Sequence, residues 1–118
     1  MMERVYETAD FVQVSDTEPI RSVVTESAHA VVVMWHVLPG QSIAPHVHPD
    51  GQDTWTVLAG QADYILDAQG STRPLAPGQI AVARAGEVHG AINRGAVPFE
   101  FVSVVAPFEA GYALVGDL

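Results

Sequence analysis

Cysteine is absent from this 118-residue sequence, which excludes both a disulfide framework and thiolate chemistry. Basic side chains are also few: five against 14 acidic ones leave a formal charge of -9, which disfavours nucleic acid and anionic membrane surfaces as partners. The longest apolar run, residues 30–35, is far too short to cross a bilayer. No apolar core of signal-peptide length lies near the first residues. We therefore expect a cytoplasmic protein whose partner is a small molecule or another protein.

What is present is a series of short segments rich in valine, isoleucine, threonine and aromatic residues, separated by turns that contain glycine or proline. Such segments are too short and too β-branched for helices, so they predict an all-β sandwich or barrel. The expected strands span residues 11–14, 20–25, 29–38, 42–48, 54–58, 62–66, 80–84, 90–93 and 99–105. A short helical turn is expected within residues 107–118. Nothing marks a boundary, so residues 1–118 are predicted to form one domain.

The predicted strand at residues 29–38 is apolar on both faces. Val31, Val33, Trp35 and Val37 alternate on one face, and the other carries Val32, Met34 and Leu38 together with His36. A strand of this kind is normally covered on both sides. One face can fill a barrel while the other packs against a second sheet or a second subunit, and from the latter we expect a homodimer. The segment 99–105 is a candidate neighbour of this strand.

The stretch "PHVHPDGQDTW", residues 45–55, contains the first candidate site. Residues two apart on a strand share a face, so His46 and His48 can present two imidazoles together, which is half of a divalent metal shell. Asp53 and His89 are the candidates for the other half. Asp53 shares a face with Trp55, whereas the neighbouring Gln52 lies on the other face. By itself the histidine pair is equally consistent with a polar turn that contains surface imidazoles.

Two longer stretches carry a family resemblance. Residues 40–60, "GQSIAPHVHPDGQDTWTVLAG", resemble the first cupin motif in every spacing, with Asp53 at the position of a glutamate. Residues 78–93, "GQIAVARAGEVHGAIN", resemble the second cupin motif in every spacing, with Arg84 in place of a proline. The resemblance implies a small RmlC-like double-stranded β-helix, or jelly-roll, barrel.

The resemblance also implies a metal at the mouth of that barrel. Carried over residue by residue, the ligands are His46, His48, Asp53 and His89, and the expected ion is Fe, Mn, Ni or Zn. Aspartate is one methylene shorter than glutamate, which makes the neighbouring amide of Gln52 a rival fourth ligand.

Three other residues each have two interpretations. Trp55 either lines the pocket or is barrel core. Arg84 either pairs with a substrate carboxylate or is a rim charge, and Tyr64 either donates a proton or packs; these two are the catalytic candidates. We expect Asn93 to close a turn through side-chain to backbone hydrogen bonds. His29 and His36 lie outside the motifs and are expected not to be ligands.

Cupins include dioxygenases, decarboxylases, isomerases, epimerases, storage proteins and ligand sensors, so the resemblance leaves the function open. The first hypothesis is a metal-dependent, dioxygenase-like or related enzyme acting on a small organic molecule. The second is a binding or sensing domain that uses the same pocket without turnover. The third is a metal-independent isomerase or epimerase, which would need a catalytic pair such as His46 and Tyr64.

Overall fold

A computed structural model describes residues 3–117 of the chain. Nearly all of its regular structure is strand, and two 3-10 helices span Thr8–Phe11 and Val115–Asp117. The strands are β1 (Ser22–Glu26), β2 (Val31–Val37), β3 (Ser42–Val47), β4 (Gln52–Ala59), β5 (Ala62–Ile65), β6 (Thr72–Leu75), β7 (Ile80–Ala83), β8 (His89–Ile92), β9 (Phe99–Ala106) and β10 (Ala113–Leu114). Within residues 3–117, no helix is long and apolar enough to cross a membrane.

The strands form two five-stranded antiparallel sheets. One has the order β1-β2-β9-β4-β7 and the other has the order β10-β3-β8-β5-β6. The all-β prediction is therefore confirmed. Strand β2 pairs with β9 along its whole length, from Val31 opposite Val105 to Val37 opposite Phe99. The neighbour predicted for the doubly apolar strand is thus correct.

Three features of the strand prediction are wrong. The segment 11–14 is not a strand; a 3-10 helix ends at Phe11 and the following residues are irregular. This segment is held by a side chain, since Gln13 donates a hydrogen bond to the Ser22 hydroxyl (3.1 Å). Strand β6 was missed because it contains Pro74, which is tolerated there because β6 lies at a sheet edge. Strand β10, two residues long, was also missed, whereas the helical turn near the C-terminus is confirmed.

Aromatic side chains fill the space between the sheets. Trp55 stacks on Phe101 with ring centroids 4.0 Å apart, and Tyr64 meets Trp55 edge-on at 5.2 Å. Trp55 also meets the imidazole of His89, with ring centroids 5.8 Å apart. Trp55 therefore contacts both the aromatic core and a histidine of the second motif.

Asn93 closes the turn after β8, as its predicted role requires. Its buried amide donates hydrogen bonds to the carbonyl oxygens of Val37 and Val97 (3.0 Å each). Its side-chain oxygen accepts a hydrogen bond from the Gly95 N–H (2.9 Å). One side chain thus satisfies three backbone groups on two segments, and the loss of a buried partner leaves such groups unpaired.

We expect Asn93→Ala to lower the free energy of unfolding by about 3 kcal/mol, because two carbonyls and one N–H lose their partner. Urea denaturation measures the change. Asn93→Asp should also be destabilising, since a carboxylate cannot donate to the two carbonyls. Gln61→Ala, at an exposed position, serves as the control. A loss below about 1 kcal/mol for Asn93→Ala would mean that these bonds contribute little.

Candidate metal centre

Four buried side chains converge at one point between the sheets. His46, His48, Asp53 and His89 each direct a ligand-type atom inward, and these atoms all lie within 4.8 Å of one another. The sequence nominated the same four residues. His46 and His89 are direct partners in the β3–β8 ladder, whereas Asp53 comes from β4 in the facing sheet.

The local sequence explains how each side chain reaches the cluster. In β4 the buried positions are Asp53, Trp55 and Val57, so alternation carries the carboxylate to the inner face. His48 directly follows β3, and its carbonyl oxygen accepts a hydrogen bond from the Gly86 N–H (3.0 Å). That bond joins the turn of the second motif to the histidine pair of the first. Gly86 has a φ of 77°, a left-handed conformation in which a side chain would be strained.

Backbone carbonyls orient all three imidazoles in the same sense. The Nδ1 atoms of His46, His48 and His89 lie 2.8, 2.7 and 3.1 Å from the carbonyl oxygens of Ala44, Gly111 and Glu87. A carbonyl oxygen only accepts hydrogen bonds, so each Nδ1 carries the proton. Each Nε2 is then left as the lone-pair donor that faces the cluster. This is the second-shell arrangement that prepares histidine for metal binding.

The inner atoms lack sufficient partners of their own. His48 Nε2 and Asp53 Oδ1 are buried without any hydrogen-bond partner among the described residues. Asp53 Oδ2 lies 3.0 Å from His89 Nε2 and 3.4 Å from His48 Nε2. Lone pairs of imidazole and carboxylate repel one another at such distances unless a proton or a cation lies between them.

The cluster therefore fits a divalent metal ion. Ligands bound at 2.0–2.1 Å around one ion are separated from each other by about 3.0–3.4 Å, which is the separation found from Asp53 to the two histidines. The set of three nitrogens and one carboxylate oxygen suits first-row transition metals. The shorter aspartate reaches the histidines without the methylene that a glutamate would add.

Electrostatics favour an ionised Asp53 and a neutral His46 within the cluster. Burial and, after it, the nearby His89 together lower the pKa of His46 to about 4. Burial acts to raise the pKa of Asp53, but the adjacent imidazoles of His48 and His89 outweigh it and bring the pKa down to about 2. Burial also opposes protonation of His48, yet the adjacent Asp53 carboxylate and the Gly111 carbonyl raise its pKa overall. An ionised carboxylate thus faces at least one imidazole that stays neutral near pH 7.

The remaining sequence candidates lie outside this cluster. Gln52 is exposed on the opposite face of β4 from Asp53. The Arg84 side chain is 73% exposed and pairs with Glu87 at 3.8 Å, which makes it a rim charge. Tyr64 is a buried core residue that packs edge-on against Trp55, and burial raises the pKa of its phenol above the ordinary value. Of the pocket candidates, only Trp55 lies beside the four clustered side chains.

The two histidines outside the motifs are not part of the cluster, as expected. His29 is exposed. His36 lies on the outer face of its sheet, where its Nδ1 is 2.6 Å from the carboxylate of Glu100.

A cavity of about 500 Å³ opens beside the cluster. Its walls are mainly apolar and include Val31, Val33, Val105, Phe108 and Trp35. None of these five residues was predicted as a cavity wall, although the alternation that places Val31, Val33 and Trp35 on one face is consistent with a lining. Arg21 and Tyr112 line the same cavity and were not predicted either.

The segment that joins β9 to β10 closes one side of this cavity. Phe108, Gly111 and Tyr112 line it, and the ring of Tyr112 lies 5.1 Å from that of His46. Strand β10 fixes the segment by pairing with β3, where Leu114 lies opposite His46. No local pattern in these residues indicates that contact, because it joins positions far apart in the sequence.

Two facing antiparallel sheets with three histidines and one carboxylate between them define a jelly-roll barrel of the cupin type. The sequence profile of the Cupin domain family matches residues 33–105, and the chain belongs to this family. Both the resemblance and the predicted double-stranded β-helix fold are thereby confirmed. Among curated proteins, none matches this chain significantly.

Solved structures agree with the assignment. A Klebsiella pneumoniae protein with a double-stranded β-helix domain is 54% identical, with a TM-score of 0.92 over 96% of this chain and 97% of that one. A Thermus thermophilus protein is 26% identical, with a TM-score of 0.80 over 87% and 96% of the two chains. The polyketide cyclase RemF from Streptomyces resistomycificus shares the fold at 23% identity, with a TM-score of 0.80 over 98% and 86%.

Proposed function

We propose that this protein is a metal-dependent enzyme, dioxygenase-like or related, that acts on a small organic molecule. One observation carries the proposal: three imidazoles with Nδ1 held by carbonyls direct Nε2, together with a buried carboxylate, to one point beside a 500 Å³ cavity. Cavities of this size with apolar walls and a few convergent polar groups are typical of small-molecule sites.

Each part of the site has a task in this proposal. His46, His48, His89 and Asp53 would hold an ion of Fe, Mn, Ni or Zn, which when bound supplies Lewis acidity and, for Fe or Mn, redox capacity. The Asp53 carboxylate offsets one of its two charges. Trp55 forms the floor, and the valines of β2 and β9 exclude water and orient the apolar body of a substrate.

The metal-independent alternative has less support. It requires a tyrosine that exchanges a proton with the substrate beside His46. Tyr64 is a buried core residue that does not line the cavity, and burial raises the pKa of its phenol. Binding or sensing without turnover remains the second candidate, because it would use the same cavity and the same ion.

Oxygen consumption separates the two candidates. The protein is reconstituted with Fe²⁺, Mn²⁺, Ni²⁺ or Zn²⁺ and incubated with a panel of small acids and phenols in an oxygen electrode. We expect the Fe²⁺ or Mn²⁺ form to consume oxygen in step with product formation, and Asp53→Asn to abolish this. Saturable ligand binding without product formation in any metal form would favour the binding or sensing protein.

We also propose a homodimer, formed through the outer face of the sheet β1-β2-β9-β4-β7. The apolar face of β2 that was expected to drive dimerisation is less exposed than its sequence suggests. Met34 is only 2% exposed in the single chain, and Val32 and Leu38 are half-buried. The exposed apolar side chains lie farther across the same face, at Ile80 (62% exposed) and Val82 (38%) on the edge strand β7. Such an edge and face are apt to pair with another copy.

Light scattering on a size-exclusion column measures the mass. We expect twice the chain mass of 12.6 kDa for the wild type and the single-chain mass for the double variant Ile80→Asp, Val82→Asp. Val97→Asp, at another exposed apolar position, is the control and should stay dimeric. A wild type with the single-chain mass at micromolar concentration would contradict the proposal.

A further inference from the structure

Arg21, an exposed residue, places a positive charge at the edge of the cavity. It directly precedes β1, whose first pairs are Ser22 with Met34 and Val23 with Val33. Val33 lines the cavity, and Arg21 shares a face with its partner Val23. Continued by one residue, the same register places Arg21 opposite Trp35, which also lines the cavity.

The guanidinium of Arg21 has no partner among the residues that the structure describes. Elsewhere Arg94 pairs with Asp63 at 2.8 Å and Arg84 with Glu87. Over residues 3–117, no ion pair and no hydrogen bond involves the Arg21 side chain. A chain with 14 acidic residues thus leaves this cation unpaired at the edge of an apolar cavity, where a guanidinium suits a planar carboxylate.

The surroundings of the cavity also favour an anionic ligand of low charge over a polyanion. The protein as a whole is strongly acidic and repels anions at long range, so an anionic ligand needs a local cation. A divalent ion held by Asp53 and three neutral imidazoles leaves one net positive charge, and Arg21 adds a second. The walls between these charges are valines and aromatic rings, which favour an apolar body over a polyanion.

We propose that Arg21 binds the carboxylate of the ligand, and that the ligand class is a small carboxylic acid with an apolar body. This inference rests on the proposed function in that the ligand occupies the same cavity. It assigns to Arg21 the role that the sequence offered to Arg84, whose side chain points away from the cavity into solvent.

Paired probes test the proposal without any need for turnover. The chain has two tryptophans, and both Trp35 and Trp55 line the cavity, so quenching of their fluorescence reports its occupancy. The probes are benzoate, phenylacetate, hexanoate and decanoate, each compared with its uncharged amide. Wild type is compared with Arg21→Gln, Arg21→Lys and the control variants Arg84→Gln and Arg73→Gln, in zinc-loaded and in metal-free protein.

We expect at least one acid to bind zinc-loaded wild type more tightly than its amide. Arg21→Gln should weaken the acid by about tenfold and leave the amide unchanged, because one charge-assisted hydrogen-bond pair is lost at a partly solvated position. Arg21→Lys should restore part of the difference, and Arg84→Gln and Arg73→Gln should behave as wild type.

Four results would overturn the assignment. Either no acid in the panel binds more tightly than its amide, or Arg21→Gln affects acid and amide alike, or Arg84→Gln removes the preference instead. A preference that survives in Arg21→Gln and disappears when zinc is removed would assign the carboxylate to the metal. Failure of the proposed function has a different signature, namely no metal binding or no turnover, and the metal-free comparison still tests Arg21 in that event.

Discussion

His46→Ala combined with His48→Ala is expected to remove stoichiometric metal binding, with an affinity at least about 1,000-fold lower than that of the wild type. Four-ligand sites bind Zn²⁺ with roughly 10–16 kcal/mol, so each ligand contributes about 3 kcal/mol, and two are lost here. The remaining donors, His89 and Asp53, are too few to complete a shell in a buried site. Titration of the metal-free variant with Zn²⁺ gives the affinity.

The control for this variant is His29→Ala, which removes an exposed imidazole and should bind one ion per chain like the wild type. Circular dichroism and urea denaturation establish that the double variant is folded. A folded double variant that still binds one ion with the wild-type affinity would remove His46 and His48 from the site.

Asp53→Asn should weaken metal binding by about 100-fold, and Gln52→Ala should leave it unchanged. The first substitution preserves the shape of the side chain and removes the charge that faces His48 and His89 at 3.4 and 3.0 Å. One carboxylate ligand corresponds to about a quarter of the binding free energy of a four-ligand site. Gln52 points to solvent from the outer face of the same strand.

Comparison of the two variants by zinc titration also decides between the rival ligands. A large loss confined to Gln52→Ala would show that the amide coordinates after a rearrangement of the strand. A loss in neither variant would indicate three histidines completed by solvent. Either outcome would contradict the role assigned to Asp53.

Strand alternation and motif spacing predicted the four clustered residues correctly for physical reasons. The period of two places His46 beside His48 and Asp53 beside Trp55. The tight turn at Gly86, which bonds to the carbonyl of His48, brings the second motif to the first. The alternation and the motif spacing are visible in the sequence, whereas the hydrogen bond that joins the two motifs is not.

Alternation does not predict how deep in the barrel a side chain lies, which matters for the two catalytic candidates. Tyr64 does face inward, but it is a buried core residue that packs edge-on against Trp55. Arg84 follows Ala83 at the end of β7, where exposed and buried residues alternate, and the next position in that alternation faces outward. The alternation along β7 therefore favours an exposed position for Arg84 at the rim over a contact with the substrate.

Arg21 could not be assigned from its neighbours. Val23 and Val24 are both apolar, so neither face of β1 stands out, and the pairing with β2 shifts register between Val23 and Thr25. Such an irregularity reverses the face of every residue on one side of it. Phe108 and Tyr112 line the cavity because β10 pairs with β3, and no local pattern specifies that pairing.

The most direct test of the metal centre is calorimetric titration of metal-free wild type with Fe²⁺, Mn²⁺, Ni²⁺ and Zn²⁺ at pH 7.5. The geometry of His46, His48, Asp53 and His89 predicts that at least one ion saturates at one per chain with micromolar or tighter affinity. It also predicts that this binding disappears in the variant with His46→Ala and His48→Ala. Absence of saturable binding for all four ions would contradict the existence of the site.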